Sequence, residues 1–189
     1  DYPDRENFDS VRKIFHHHKQ YEQYYGHFNP KTKIMLVKEG SRKSLCAEYR
    51  GIFRMLKEAH LQFTIVEVDS LKDKLKELDE YTYIILPDVH TLSTEMMDAL
   101  VETKAAVVGT GLTMEESAPC LEQLFGIGVS EKITDVRGTY LKTEPKQIFP
   151  DFAEAEKEWV FLDGPYRKMK LLPGAEGYLP LVEKAMFGP

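Results

Sequence analysis

The sequence predicts an α/β fold, a doubly wound parallel sheet with helices on both faces. Short apolar runs, typical of buried parallel strands, alternate four times with amphipathic helical segments between residues 33 and 126. Each strand–helix unit has the size of the right-handed crossover that joins two parallel strands. The predicted strand order is 2-1-3-4, as in flavodoxin-like folds.

The composition is that of a globular domain with a sizeable core. Of 189 residues, 42% are hydrophobic and 30% are charged. The net charge of −6 gives no global field for nucleic acid or an anionic membrane, so we expect neither as a partner. No apolar run approaches the length of about 18 residues that spans a bilayer. The two cysteines, Cys46 and Cys120, follow no disulfide-rich pattern, which favours a reducing, cytoplasmic compartment.

Three parts are expected along the chain. Residues 1–30 form an N-terminal helix and a linker, residues 31–128 the flavodoxin-like core, and residues 129–189 a β-rich extension of the same domain. The periodicity of the first part predicts a helix over residues 7–25, ended by Gly26. Because the chain starts without a methionine and stops abruptly, we expect it to be part of a longer protein.

The core elements follow from local patterns. Strands are predicted at 33–37, 63–68, 81–87 and 105–110, and helices at 44–60, 70–81, 93–104 and, after Pro119, within 114–126. Ser44, Ser70 and Ser93 are the predicted N-cap residues of the first three helices.

Ligands in such folds bind at the carboxyl ends of the strands, here the loops 38–44, 87–93 and 109–113. Arg42 and Ser44 lie at a helix N-terminus that could hold an anion. The loop lacks the GxGxxG and P-loop spacings, so no cofactor is expected. His90 is the one histidine on these loops, with Asp88 nearby, and is a candidate contact to a ligand or a partner domain.

The turn "VVGTGLT" (107–113) corresponds to the nucleophile elbow of class I glutamine amidotransferases. Thr110 stands where their cysteine would be, and a threonine hydroxyl without a paired base is a weak nucleophile. Neither cysteine lies on an elbow. No two carboxylates stand out as the acid/base couple of a glycoside hydrolase. We therefore expect no catalytic residue in this chain.

The run "FHHHKQYEQYY" (15–25) contains three adjacent histidines. Neighbouring helical residues point roughly 100° apart, so His16, His17 and His18 cannot converge on one ion. His18 shares a face with Glu22, but two ligands do not complete a metal site. We expect no metal here, and interpret His18 as a packed residue where this helix docks on another domain.

Residues 83–113 carry a resemblance to a known family. The matching positions are Leu86, Pro87, Leu92, Ser93, Glu95, Leu100, Val107 and Thr110, and the segments "LEQLFGIGV" (121–129) and "AMFGP" (185–189) extend the match. The chain resembles the β-galactosidase trimerisation domain, which follows the catalytic barrel in family 42 β-galactosidases and related glycoside hydrolases. It departs from the family at "VETKAAVV" (101–108), where Gly-Gly is common.

The resemblance implies a non-catalytic domain that supports oligomer assembly and the neighbouring carbohydrate active site. Its partners would be the N-terminal catalytic barrel of the same protein and further copies of itself, with a trimer expected. Two alternatives stay open. One is a ligand-binding or enzymatic flavodoxin- or amidotransferase-like domain that uses the loops 38–44 and 87–93, and the other is a spacer without oligomeric contacts.

Overall fold

A four-stranded parallel sheet forms the centre of the computed structural model, which describes residues 5–25, 31–40, 47–90, 92–111, 113, 117–133, 138–142, 159–163 and 166–182. Its strands are β1 (Ile34–Lys38), β2 (Thr64–Glu67), β3 (Tyr83–Pro87) and β4 (Ala106–Thr110). They lie in the order β2-β1-β3-β4, and every pair is parallel. The α/β prediction and the predicted strand order are confirmed.

The chain divides into two compact units, Asp1–Thr32 and Lys33–Pro189. In the first unit, helix α1 (Arg5–Gln20) is followed by the single turn α2 (Glu22–Tyr25). The continuous helix predicted over 7–25 is therefore interrupted at Tyr21. The backbone N–H of Tyr21 is shared between the carbonyls of His17 and His18, at 3.1 and 3.2 Å, which tightens the helix at this point.

Five helical segments belong to the second unit in the described residues: α3 (Ala47–Glu58), α4 (Val68–Leu71), a 3₁₀ helix (Lys72–Glu80), α5 (Thr94–Glu102) and α6 (Ala118–Phe125). The Ser93 cap is confirmed, because its hydroxyl accepts a hydrogen bond from the Met96 N–H at 3.2 Å. The predicted Ser44 cap lies outside the described residues.

The single α-helix predicted at 70–81 with a Ser70 cap is wrong in detail. Helix α4 begins at Val68, directly after β2, and most of the segment is 3₁₀. Val68 and Leu71 are buried in the core, at 5% and 0% exposure. A helix that starts at Val68 buries both side chains. The hydrophobic free energy of this burial exceeds the stabilisation of about 1 kcal/mol that an N-cap at the surface would give.

The sheet carries a hydrophobic cluster on each face, because successive strand residues point to opposite sides. Met35, Val37, Ile84 and Leu86 pack with the 3₁₀ helix and α5 on one face. On the other face Leu36 packs with side chains of α3, namely Tyr49, Ile52 and Leu56. Both faces of the predicted doubly wound sheet are thus covered, as α/β domains require.

The extension is β-rich, as predicted, and begins at Ile127. Strand β5 (Ile127–Ile133) pairs antiparallel with β8 (Tyr166–Leu171), and β6 (Gly138–Lys142) with β7 (Trp159–Asp163). Gly126 ends α6 at φ 62°, and its carbonyl accepts a hydrogen bond from the Leu172 N–H at 2.9 Å. Within the described part of the chain, no helix combines the length and the apolarity needed to cross a membrane.

Asp79 joins the 3₁₀ helix to the turn before β4. Its Oδ1 accepts hydrogen bonds from the Thr103 hydroxyl and the Lys104 N–H, both at 2.9 Å. The backbone bond from Lys104 and then the Thr103 hydroxyl lower the pKa of Asp79 from its ordinary value of 3.8. The ionised form is therefore the one that stabilises the fold.

We predict that Leu36→Ala lowers the free energy of unfolding by about 2–5 kcal/mol, because it opens a cavity under α3. Ile65→Ala is the matched control. Ile65 is the register partner of Leu36 on β2 and is 45% exposed, so its truncation should cost at most half as much. Urea titration of both variants measures the difference, and equal losses would contradict this description of the core.

We predict that the stabilising effect of Asp79 disappears in acid. A lowered pKa stabilises the fold above the ordinary carboxyl pKa, and the stabilisation is lost as the pH falls through the folded-state value. The Tm of the unmodified chain should exceed that of Asp79→Asn at neutral pH, and the difference should shrink below about pH 4. Asp98→Asn, at an exposed position on α5, should show no such convergence.

Candidate functional site

The carboxyl ends of β1, β3 and β4 bring three short polar loops to one edge of the sheet. Described residues of these loops include Glu39 after β1, Asp88 and His90 after β3, and Gly111 and Thr113 after β4. Parallel strands end at the same edge, so these groups are neighbours although they are distant in sequence. The structure thus brings His90 and Thr110, both predicted site residues, to the same edge.

The Thr113 hydroxyl holds the ends of β3 and β4 together. Its Oγ1 lies 2.6 Å from both the Leu86 and the Thr110 carbonyl oxygens and accepts a hydrogen bond from the Val89 N–H at 3.2 Å. Thr113 is 5% exposed, so water cannot substitute for these bonds. The Thr113 side chain thereby fixes the backbone that carries Asp88 and His90.

Asp88 occupies an unusual position for a carboxylate. It has φ 52°, in the left-handed region, and is 7% exposed. Its Oδ1 lies 3.1 Å from His90 Nε2, while the His90 N–H donates to Glu39 Oε2 at 2.9 Å. In a neutral imidazole Nε2 donates to this carboxylate, and Nδ1 is then the acceptor of the ring.

The elbow after β4 is tightly packed. Gly111 has φ 62°, and a Cβ there would lie 3.0 Å from Glu48 Cγ and 3.1 Å from Asp88 Oδ1. The first turn of α3 therefore reaches the elbow. Thr110 Oγ1 is buried and makes no hydrogen bond within the described residues, so no described base contacts it. A nucleophile needs such a base, and the structure gives Thr110 none among the described residues.

Arg167 on β8 is a partly buried charged group that the sequence patterns did not reveal. Its Nη2 is buried. Burial lowers the pKa of the Arg167 guanidinium, and the negative charge of Asp88 opposes that shift. Nothing in the local sequence "YRKMK" marks this arginine, because Asp88, whose charge acts on it, lies 79 positions away along the chain.

The other predicted site residues lie elsewhere or outside the described residues. Arg42 and Ser44 fall in the segment 41–46, which the structure does not describe. His18 and Glu22 line one open hollow on the helix of the first unit, and the His18 ring centroid lies 5.3 Å from that of Tyr25. In the described residues, no three histidine, cysteine or acidic side chains are grouped so that they could hold a metal ion. The packing of His18 on another domain stays a prediction.

A solved structure of similar fold is known. The crystal structure of a β-galactosidase from the psychrophilic Marinomonas ef1 matches with a TM-score of 0.52 at 14% sequence identity. The match covers 74% of this chain and 22% of the β-galactosidase chain. No family model matches this sequence, and no curated protein does. The chain therefore shares its fold with a part of a glycoside hydrolase.

We predict that Thr113→Val lowers the free energy of unfolding by about 1–3 kcal/mol, because it removes the buried hydroxyl that accepts from the Val89 N–H and donates to a strand-end carbonyl. Thr113→Ser keeps the hydroxyl and should retain most of the stability. The two variants are compared by urea unfolding. A valine variant as stable as the serine variant would show that the hydroxyl does not hold these strand ends.

Proposed function

We propose that this chain is a non-catalytic accessory domain of a β-galactosidase-like glycoside hydrolase, which supports subunit assembly and the neighbouring carbohydrate active site. The observation that carries the proposal is the match to 22% of a β-galactosidase chain. A domain that corresponds to about a fifth of such an enzyme leaves room for a separate catalytic barrel. That barrel is the first proposed partner, and further copies of this chain are the second.

The chemistry of the elbow supports a non-catalytic role. Thr110 occupies the position of the nucleophile in amidotransferase-like folds, and its hydroxyl is buried. Cys120 lies in α6 and is 4% exposed, so its thiol is inaccessible to a substrate. The described residues thus supply neither an activated nucleophile nor an exposed thiolate at this edge. We expect this chain to hydrolyse neither a β-galactoside nor glutamine.

The helix of the first unit has the character of a docking surface. Phe8, Ile14 and Phe15 are 59%, 58% and 71% exposed, and Tyr24 and Tyr25 are 64% and 57% exposed. Phe8, Ile14 and Phe15 lie on one side of α1, because their spacing follows the helical period. Exposed aromatic and aliphatic side chains at this density are typical of protein interfaces. We name Phe8, Ile14 and Phe15 the apolar stripe, and we propose that it contacts the barrel or a neighbouring subunit.

Light scattering coupled to size exclusion tests the assembly role. The proposal predicts a particle of three times the 21.8 kDa chain mass. A strictly monomeric chain at all concentrations, together with a monomeric full-length enzyme, would contradict it. Hydrolysis of a chromogenic galactoside by the chain alone would contradict the non-catalytic assignment.

We predict that Phe15→Ser weakens this assembly at least tenfold, since a central buried aromatic residue typically contributes more than 1.4 kcal/mol to an interface. Gln20→Ser is the control, because Gln20 lies on the opposite side of α1. Dissociation constants are compared by analytical ultracentrifugation. Equal dissociation constants for the two variants would show that the apolar stripe is not part of the interface.

The alternative is a small-molecule site formed by the loops 38–44 and 87–93. The 3.1 Å contact between Asp88 and His90 favours it, because such a pair orients an imidazole toward a ligand. Thermal stabilisation by a flavin, a nucleotide, a sugar or a glutamine analogue, abolished by His90→Ala, would support this function. The same ligands without effect on the unmodified chain would count against it.

A further inference from the structure

Strand β4 is an edge of the parallel sheet that lacks the usual protection against a further strand. Within the described residues it pairs with β3 alone, and its sequence, Ala106–Thr110, contains neither a charged residue nor a proline. Edge strands that remain single commonly carry a lysine, a proline or a bulge, which prevents pairing with another chain. The opposite edge strand, β2, ends in Glu67, which forms an ion pair with Lys38 at 2.9 Å. Strand β4 is therefore more open to pairing than β2 is.

The hydrogen bonds of β4 show which of its backbone groups face outward. The Thr110 carbonyl accepts a hydrogen bond from the Asp88 N–H at 3.0 Å, and the Ala106 N–H donates to the carbonyl of the residue directly before β3 at 2.9 Å. Successive strand residues direct their N–H and C=O groups to opposite sides, so the groups of Val107 and Gly109 point away from β3. No other strand or loop of the described chain meets these outward groups.

The side chains next to this edge leave apolar surface in solvent. Val108 is 40% exposed, and Tyr83 at the start of β3 is 47% exposed. Ile85, the register partner of Val108, packs in the cluster under α3, so Val108 lies on the same face of the sheet. A strand added beside β4 would cover part of Val108 and would give the outward backbone groups their hydrogen bonds.

A second copy of this chain is the partner that fits the edge. Two β4 strands related by a twofold axis run antiparallel, and each then presents the same row of N–H and C=O groups to the other. Because β4 carries no charge, no like charges meet across the pair. We propose that the β4 strands of two copies pair antiparallel across a twofold axis, so that their two parallel sheets join into one continuous sheet.

This contact is separate from the apolar stripe on α1 and extends the proposed assembly role, on which the size of the full particle rests. A pair of five-residue strands buries less area than the roughly 1,200 Å² of a stable interface. We therefore expect the β4 contact to be weaker than the stripe contact and to form at higher concentration. With both contacts made, the particle would have twice the mass of the proposed trimer.

We predict that Phe15→Ser, in which the stripe contact is weakened, changes from the mass of one chain to that of two at concentrations on the order of 0.1 mM. Adding Val107→Pro should weaken this pairing at least tenfold, because proline removes an outward N–H without breaking a bond to β3. Val107→Ala is the matched control. It truncates the same partly buried side chain but keeps the N–H, so it should still pair. Analytical ultracentrifugation measures the dissociation constants.

Amide hydrogen exchange of Phe15→Ser, followed by nuclear magnetic resonance, tests the edge even if the proline variant does not fold. The Val107 and Gly109 amides should become protected as the concentration rises, while the Ala106 amide, already bonded on the β3 side, should not change. Equal dissociation constants for the proline and alanine variants would overturn the inference. So would a single-chain mass at every concentration without added protection. The mass of the unmodified chain tests the trimer separately.

Discussion

A carboxylate withdrawn from water must be matched by donors and positive charge, and the carboxyl edge of this sheet is arranged around that constraint at Asp88. The residue is 7% exposed and has a left-handed backbone, which a hydrogen bond from its N–H to the Thr110 carbonyl helps to hold at 3.0 Å. Thr113 fixes the flanking strand ends, and Gly111 leaves the space that the carboxylate fills. His90 Nε2 then supplies a side-chain donor at 3.1 Å.

This arrangement supports the proposed non-catalytic role of the chain. Catalysis at such an edge needs an activated nucleophile and room for a substrate. Here the elbow residue Thr110 has no described base, and the side chains of Glu48 on α3 and of Asp88 crowd the elbow at Gly111. His90 is hydrogen-bonded to both Glu39 and Asp88 within the edge, and the exposed apolar stripe lies on α1. An accessory domain in a glycoside hydrolase is consistent with this distribution of groups.

The sequence was sufficient to predict the parallel sheet, but it was not sufficient to predict the side-chain contacts at the carboxyl edge. Short apolar runs predicted the strands, because burial on both faces leaves a local pattern, and the strand order followed from the comparison with flavodoxin-like folds. The Ser93 N-cap was also predicted from a local pattern. The helix start at Val68 was missed because core packing of this residue, and not a local cap, sets where the segment begins. Arg167 was missed because its charge partner lies on a different element, and no periodicity links the two.

The tautomer of the His90 imidazole in solution is the most direct test of this account. Nuclear magnetic resonance of ¹⁵N-labelled histidine side chains identifies which ring nitrogen carries the proton in the neutral form. We expect the proton on Nε2, which lies 3.1 Å from Asp88 Oδ1, and a change of this preference in Asp88→Asn. A neutral His90 protonated on Nδ1, unchanged by Asp88→Asn, would show that His90 does not supply a donor to the buried carboxylate.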